Sequence, residues 1–316
     1  MTDLSLRMTN MTTDPRPGTK IRRGWKPLAR FLFIYAFIPY LSIVVIFTVF
    51  QRRLMYQPSV ADNLSVTKIK LAPEVASDVQ IRTPDGRQLK GWLIYASRKV
   101  HPQQAPPLVI YFPGNAGNRH ERLSDLREIG STGFDVLIFD YRGYGDSTGN
   151  PSESALTADA QLIWQFACIE LKYPPDRIVL FGESLGGAVT LSLWSASSEQ
   201  RPHPAAVILN STFASMPGVV AWHHPLFPFQ FLLFDRWRSI DRIPHVQSPV
   251  VIFHGTADDI VPLSQGRLLA SRSNRSQLIE VPGGTHNSIP MASLMTQLKA
   301  IRDRISDPTE EEPDQP

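Results

Sequence analysis

The longest apolar stretch of the chain lies near its start: positions 31–50 hold twenty consecutive uncharged residues rich in Phe, Ile, Val and Leu. At 1.5 Å rise per residue, a helix of that length reaches about 30 Å, the thickness of a bilayer's hydrocarbon core. The run predicts one transmembrane helix, with Pro39 as a tolerated kink. Beyond it the period changes. Positions 65–71 and 79–95 alternate apolar and polar in the manner of half-buried strands, with Pro84-Asp85-Gly86 as a turn. Short, mostly apolar runs follow at 108–112, 136–140, 177–181, 205–209 and 250–254, and Gln277 to Val281 reads as a further strand, with helical patterns between most of them. Continuous runs read as strands buried on both faces, and their alternation with helices predicts right-handed crossovers. The expected fold class is α/β: a mostly parallel sheet with helices on both faces, an antiparallel start, and one membrane helix in front.

Chemistry enters where the run at 177–181 meets Gly182-Glu183-Ser184-Leu185-Gly186. Strand, tight turn and helix form the context in which a G-x-S-x-G turn projects its serine hydroxyl as a nucleophile. Glycines two residues to either side leave room for the neighbouring strand and helix. Alone the pattern is weak, and its surroundings raise it. The strand at 250–254 runs into His254-Gly255-Thr256-Ala257-Asp258-Asp259, and the strand at 277–281 ends at Pro282-Gly283-Gly284-Thr285-His286. The order Ser184, Asp258, His286 is nucleophile, acid, base, each after its own strand. His286 would take the serine proton and return it to the leaving group, while a buried carboxylate fixes its tautomer. After the strand at 108–112 comes Pro113-Gly114-Asn115-Ala116-Gly117-Asn118. This loop and the residue after the nucleophile would supply an oxyanion hole from the backbone amides of Asn115 and Leu185.

The runs Pro113-Gly114-Asn115-Ala116-Gly117-Asn118, Asp140-Tyr141-Arg142-Gly143-Tyr144-Gly145-Asp146-Ser147, Gly182-Glu183-Ser184-Leu185-Gly186-Gly187 and His254-Gly255-Thr256-Ala257-Asp258 together resemble one family. It is the membrane-anchored α/β-hydrolase domain-containing family, which includes depalmitoylases, lysophospholipases and serine aminopeptidase-like members. The resemblance runs in order from about residue 51 to about residue 304. It implies an α/β-hydrolase fold and a serine hydrolase acting on an ester, thioester or amide. It also implies Asp258 as the acid rather than Asp259, at the family-like spacing of four residues after His254. One departure stands out: the family usually has His before the first glycine of the oxyanion loop, and here Pro113 takes that place. Because the donor is a backbone amide two residues on, activity is expected to survive. The alternative is a non-catalytic binding or scaffold protein on the same fold, which usually shows a lost triad member. Here all three candidates are present.

The remaining features set domain organisation and partners. Residues 1–30 form a basic cytoplasmic segment, 31–50 the signal anchor, 51–306 the catalytic domain with a cap at about 212–240, and 307–316 a disordered acidic tail. The formal net charge is +3, but residues 1–53 hold nine Lys/Arg against two Asp, a net +7, leaving −4 for the rest. The basic balance thus belongs to the amino terminus and gives nucleic-acid binding no support. Positive charge ahead of the apolar run directs the catalytic domain to the non-cytoplasmic side. A cleaved signal peptide is the alternative, with Ser59-Val60-Ala61 as a small-residue site. The lead-in and the apolar run are both longer than such peptides use. The cap stretch 222–234 is rich in Phe and Leu and could line an acyl-chain pocket or touch the bilayer. The substrate expected is therefore a small or lipid-like acyl ester or thioester. No cofactor and no metal are expected, since the adjacent His223 and His224 point apart with no acidic or cysteine cluster beside them. Asp140 and Arg142 read as braces of the loop that follows them, His254 as a structural residue, and Cys168 as an inert core residue.

Overall fold

An apolar helix, Trp25–Met55, opens the described chain. The computed structural model describes residues 25–96, 105–195, 201–288 and 290–307; most of the expected basic segment, and the expected acidic tail beyond residue 307, lie outside them. The helix is longer at both ends than the apolar run, because Lys26, Arg30, Arg52 and Arg53 are good helix formers that extend it. A π turn at Phe33–Phe37 interrupts it, where the Ile38 amide donates to the Phe33 carbonyl. Pro39 has no amide hydrogen and its ring crowds the carbonyl four residues back, so the ladder loosens at that point. The chain divides into compact units between Val45 and Ile46, and the last turns of the helix, from Ile46, belong to the larger one.

In that larger unit the strands are β1 Gln57–Pro58, β2 Ala76–Arg82, β3 Gln88–Ile94, β4 Leu108–Phe112, β5 Ala116–Gly117, β6 Asp135–Phe139, β7 Ile178–Glu183, β8 Ala206–Asn210, β9 Val250–Gly255 and β10 Ser276–Val281. Eight of them form one sheet in the order β10-β9-β8-β7-β4-β6-β3-β2, and β1 pairs separately with β5. The neighbours from β10 through to β6 are parallel, whereas β3 lies antiparallel to both β2 and β6. The expected α/β architecture is present. One expected strand is absent: positions 65–71 form a turn in which the Leu71 amide reaches the Val66 carbonyl. Its alternation has a local cause, since Asn63 Oδ1 accepts the Ser65 amide and Ser65 Oγ the Lys68 amide. Such side-chain bonds to the backbone compete with a strand ladder, while Leu64 and Leu71 plug the core.

Strand alternation divides the interior between the two faces of the sheet. Leu108, Ile110 and Phe112 of β4 pack with Leu156, Ala160 and Ile163 of the helix Glu153–Gln165 and with the helix Leu185–Ser192. Val109 and Tyr111 of the same strand pack with Leu126 and Ile129 of the helix Leu123–Ser131, and with Leu294, Leu298 and Ile301 of the helix Met291–Ser306. Between β8 and β9 the chain makes three short α-helices, Met216–His223, Phe229–Leu232 and Ser239–Arg242, and a 3-10 turn at Ile243–His245, at the place expected for a cap.

Asp140 and Arg142 brace the loop after β6, as their positions suggested. Asp140 pairs with the buried Arg119, which also meets Asp146 at 2.6 Å and lies over the Trp92 ring. Burial pushes the Asp140 carboxyl up to about 6 even though Arg119 pulls it down. Arg142 bridges Asp85 at 2.6 Å and Asp159 at 2.7 Å. Cys168 is half-buried against the core, and burial pushes its thiol up to about 11.

Candidate active site

The site forms where β7 stops. Ser184 follows the last residue of β7 and precedes the first residue of the helix Leu185–Ser192, with φ +52° and ψ −115°. A serine in that conformation is strained, and the strain persists because the surroundings over-determine it. Its amide donates to Asn210 O at 2.8 Å, and its carbonyl accepts from the Gly187 amide at 3.0 Å and Thr212 Oγ1 at 2.8 Å. The glycine spacing has a steric cause. A Cβ on Gly182 would lie 2.6 Å from Gly186 O, and one on Gly186 would lie 1.9 Å from Phe112 O. Only glycine lets the helix start this close to β7 and β4.

The loops after β9 and β10 bring the other two candidates to this turn. The Thr256 amide bonds Val281 O, the Ala257 amide bonds Gly284 O, and the Gly283 amide bonds Thr256 Oγ1, so the two loops form one unit. From it His286 places Nε2 2.9 Å from Ser184 Oγ and Nδ1 2.8 Å from Asp258 Oδ2. With Nδ1–H donating to the carboxylate, Nε2 is left to accept the serine hydroxyl. Asp258 is buried and its Oδ1 also accepts the Ile260 and Val261 amides, whereas Asp259 is exposed. Burial works to raise the Asp258 carboxyl, but the bonds from His286 and the Val261 amide outweigh it and hold it below its ordinary value. His254 lies behind the acid, with Nε2 donating to Val261 O at 2.9 Å. Burial keeps its imidazole below its ordinary value, which suits a neutral structural residue.

The loop of Asn115 reaches the same turn: a Cβ on Gly114 would lie 3.8 Å from Ser184 Cβ. Leu185 is the first residue of its helix, so its amide has no intrahelical partner. Neither the Asn115 nor the Leu185 amide donates a loop or turn bond among the described residues. Sequence reasoning missed the groups that hold this region. Tyr111 donates to Glu183 Oε2 at 2.6 Å, Tyr141 to Pro113 O at 2.8 Å and Tyr144 to Asn115 O at 2.7 Å, and β1 pairs with β5. Their only sequence signal was the pair of tyrosines in the run at 140–147; a two-residue strand has no readable period.

The 222–237 segment meets the base of the long helix. Phe229 stacks on Phe47 at 3.8 Å and on Phe227 at 4.8 Å, which leaves it 3% exposed. Phe231, by contrast, is 72% exposed. The buried Gln51 amide spans Leu232 O and the Phe234 amide, and Arg52 pairs with Asp235 at 2.9 Å. His223 Nε2 bonds Ile260 O, while His224 lies against the Phe47 and Phe229 rings. Among the described residues no group of three or more His, Cys, Asp or Glu could hold a metal ion.

Comparison with known proteins gives this geometry a setting. The profile of the alpha/beta hydrolase fold matches residues 107–226. An uncharacterized protein of Mycobacterium tuberculosis is 39% identical over 253 residues, covering 80% of this chain and 86% of its own length. The alpha/beta hydrolase domain-containing protein WAV2 of Arabidopsis thaliana is 30% identical, covering 77% and 83%. Among solved structures, the esterase Pf2001 of Pyrococcus furiosus superposes with a TM-score of 0.58 at 17% identity, over 79% of this chain and 98% of that one. At that identity the likeness speaks for the fold.

Proposed function

Since the chain belongs to the alpha/beta hydrolase family, we propose that it is a membrane-anchored serine hydrolase cleaving an ester or thioester of a lipid-like acyl group. The observation that carries the reading is the continuous hydrogen-bonded chain from Ser184 Oγ through His286 to Asp258. Ser184 Oγ attacks the acyl carbon as its proton passes to His286 Nε2. Negative charge gathers on the carbonyl oxygen, where the amides of Asn115 and Leu185 stabilise it. The carbon–oxygen or carbon–sulfur bond then breaks, His286 returns the proton to the leaving group, and an acyl-serine remains. Water, deprotonated by the same imidazole, releases the acid and restores Ser184. Asp258 stabilises the imidazolium in both halves.

The lipid reading rests on the apolar helix and the cap beside its base. Trp222, Leu226, Phe231 and Phe234 of the cap are exposed, as are Val49, Phe50 and Leu54 of the helix. Such a surface suits contact with acyl chains, each buried CH₂ contributing about 0.8 kcal/mol. The basic residues ahead of the helix favour a single-pass anchor with the catalytic domain on the non-cytoplasmic face. Protease added to spheroplasts should therefore degrade that domain.

A fluorophosphonate probe tests the chemistry. Wild type is expected to label covalently and Ser184→Ala not at all, with ester hydrolysis falling about 10⁴-fold or more. Asp258→Asn should lower turnover about 10⁴-fold and Asp259→Asn leave it near wild type. Held below its ordinary value, the Asp258 carboxyl stays ionised opposite His286 across the neutral range. Labelling of Ser184→Ala at the wild-type rate refutes the assignment. Rates on acyl esters should rise with chain length, and aminoacyl amides cleaved faster than every ester would refute the lipid reading.

A further inference from the structure

An oxyanion hole works only if its donors are fixed before the charge develops. The loop at 113–118 is poorly suited to fix itself, since it carries Gly114 and Gly117, the latter at φ +87°, and glycine leaves the backbone the most freedom to lose. Its order comes from outside. The Gln57 amide donates to Asn115 O at 2.9 Å and the Ser59 amide to Gly117 O at 3.2 Å. Asn115 Nδ2 reaches Met55 O at 3.0 Å and Asn118 Nδ2 reaches Ser59 O at 3.1 Å. Each of these four bonds ends on residues 55–59, the last residue of the apolar helix and the four that follow it. The peptide that bears the Asn115 amide is thereby held between two clamped carbonyls, Pro113 O by Tyr141 and Asn115 O by Gln57 and Tyr144.

The clamping segment is itself immobilised on its other side. Arg52 grips Asp235 with two bonds of 2.9 and 3.0 Å, Tyr56 donates to Asp235 Oδ2 at 3.1 Å, and Trp237 Nε1 donates to Tyr56 at 3.2 Å. Asp235, Tyr56 and Trp237 are all buried. The base of the helix therefore joins the cap on one side and the oxyanion loop on the other. A tether that only held the domain near a membrane would need neither connection.

We propose that residues 55–59, acting with Tyr144, are a positioning element of the active site that holds the Asn115 amide in its donor orientation. The seat of the membrane helix is in this way part of the catalytic apparatus. The proposal rests on the serine-hydrolase reading of Ser184.

The test uses the full chain in detergent micelles, with a short soluble ester as substrate and an alkylboronic acid as a mimic of the tetrahedral adduct. Tyr144→Phe removes one hydroxyl bond to Asn115 O and keeps the ring. Gln57→Pro removes the amide bond to the same carbonyl, and Gln57→Ala retains that amide. Tyr144→Phe and Gln57→Pro are each expected to lower kcat about tenfold, less than the loss of an oxyanion donor itself, with KM within twofold. The boronate should bind weaker by the same factor, and Gln57→Ala should restore wild-type values of both. If Gln57→Pro fails to fold, Tyr144→Phe decides alone. Boronate affinity unchanged beside an active wild type overturns the positioning role while leaving the hydrolase reading intact. A wild type that hydrolyses no ester and takes up no fluorophosphonate overturns both.

Discussion

The helix Leu185–Ser192 and the 31–50 stretch of the helix Trp25–Met55 are both apolar around their whole circumference, yet their surroundings are opposite. Every residue of the first is buried in protein, and every residue from position 31 to 43 of the second is exposed. A helix without a polar face carries no stripe to say what covers it, so length decides. Eight residues span about 12 Å, short enough to be wrapped by a sheet and its flanking helices, whereas 31 residues span about 46 Å. The longer one is long and apolar enough to cross a membrane. At its base the contrast narrows: Phe47 stacks on Phe229 and Gln51 is buried against residues 232–234, while Val49, Phe50 and Leu54 of the same turns stay exposed.

Placing a charge in each helix is the strongest way to break this comparison. Leu191→Asp puts an unpaired carboxylate among fully buried apolar neighbours, and a loss of roughly 4 kcal/mol or more is expected. Extracted protein should then show no cooperative melting transition. Ile43→Asp strikes the exposed stretch, where a charge costs about 3 kcal/mol of membrane insertion and nothing in the folded domain. That variant should wash off membranes in carbonate and keep the wild-type melting temperature in detergent. Equal melting losses in the two variants would erase the distinction between them.

A third helical stretch sharpens the comparison with a smaller effect. The π turn Phe166–Glu170, which continues the helix Glu153–Gln165, is neither wrapped nor bare, and Cys168 on it is half-buried. With its thiol near 11, about one molecule in a thousand is thiolate at pH 8. Native protein should take up iodoacetamide slowly and keep its hydrolase activity, while urea-unfolded protein reacts at once. Rapid labelling of the native chain would place Cys168 outside the core.

Much of the architecture was legible because its signals are local. The six parallel strands stand at or within a residue or two of the runs that announced them; five are buried throughout, which demands largely apolar residues, while β10 at the sheet edge is not. The turn at Ser184 was legible because a glycine-flanked serine between strand and helix has a steric meaning of its own. Positions 65–71 misled because side-chain bonds from Asn63 and Ser65 to nearby amides impose a turn on an alternating pattern. The pairing of β1 with β5 left no trace, being two residues on each side. Nor did any periodicity mark Arg52, Tyr56, Asp235 and Trp237 as one cluster, because they meet across some 180 residues of chain.

By itself, then, the sequence determined the α/β class, the order of the strands along the chain, the long apolar helix and the candidates Ser184, Asp258 and His286, each of which follows from a pattern a few residues wide. Only the tertiary structure decided that Phe229 serves the seat of the helix and that residues 55–59 grip the loop of Asn115. These depend on distances between segments far apart in the chain. Such distances are set by how the two faces of the sheet are packed, which no single stretch of sequence encodes.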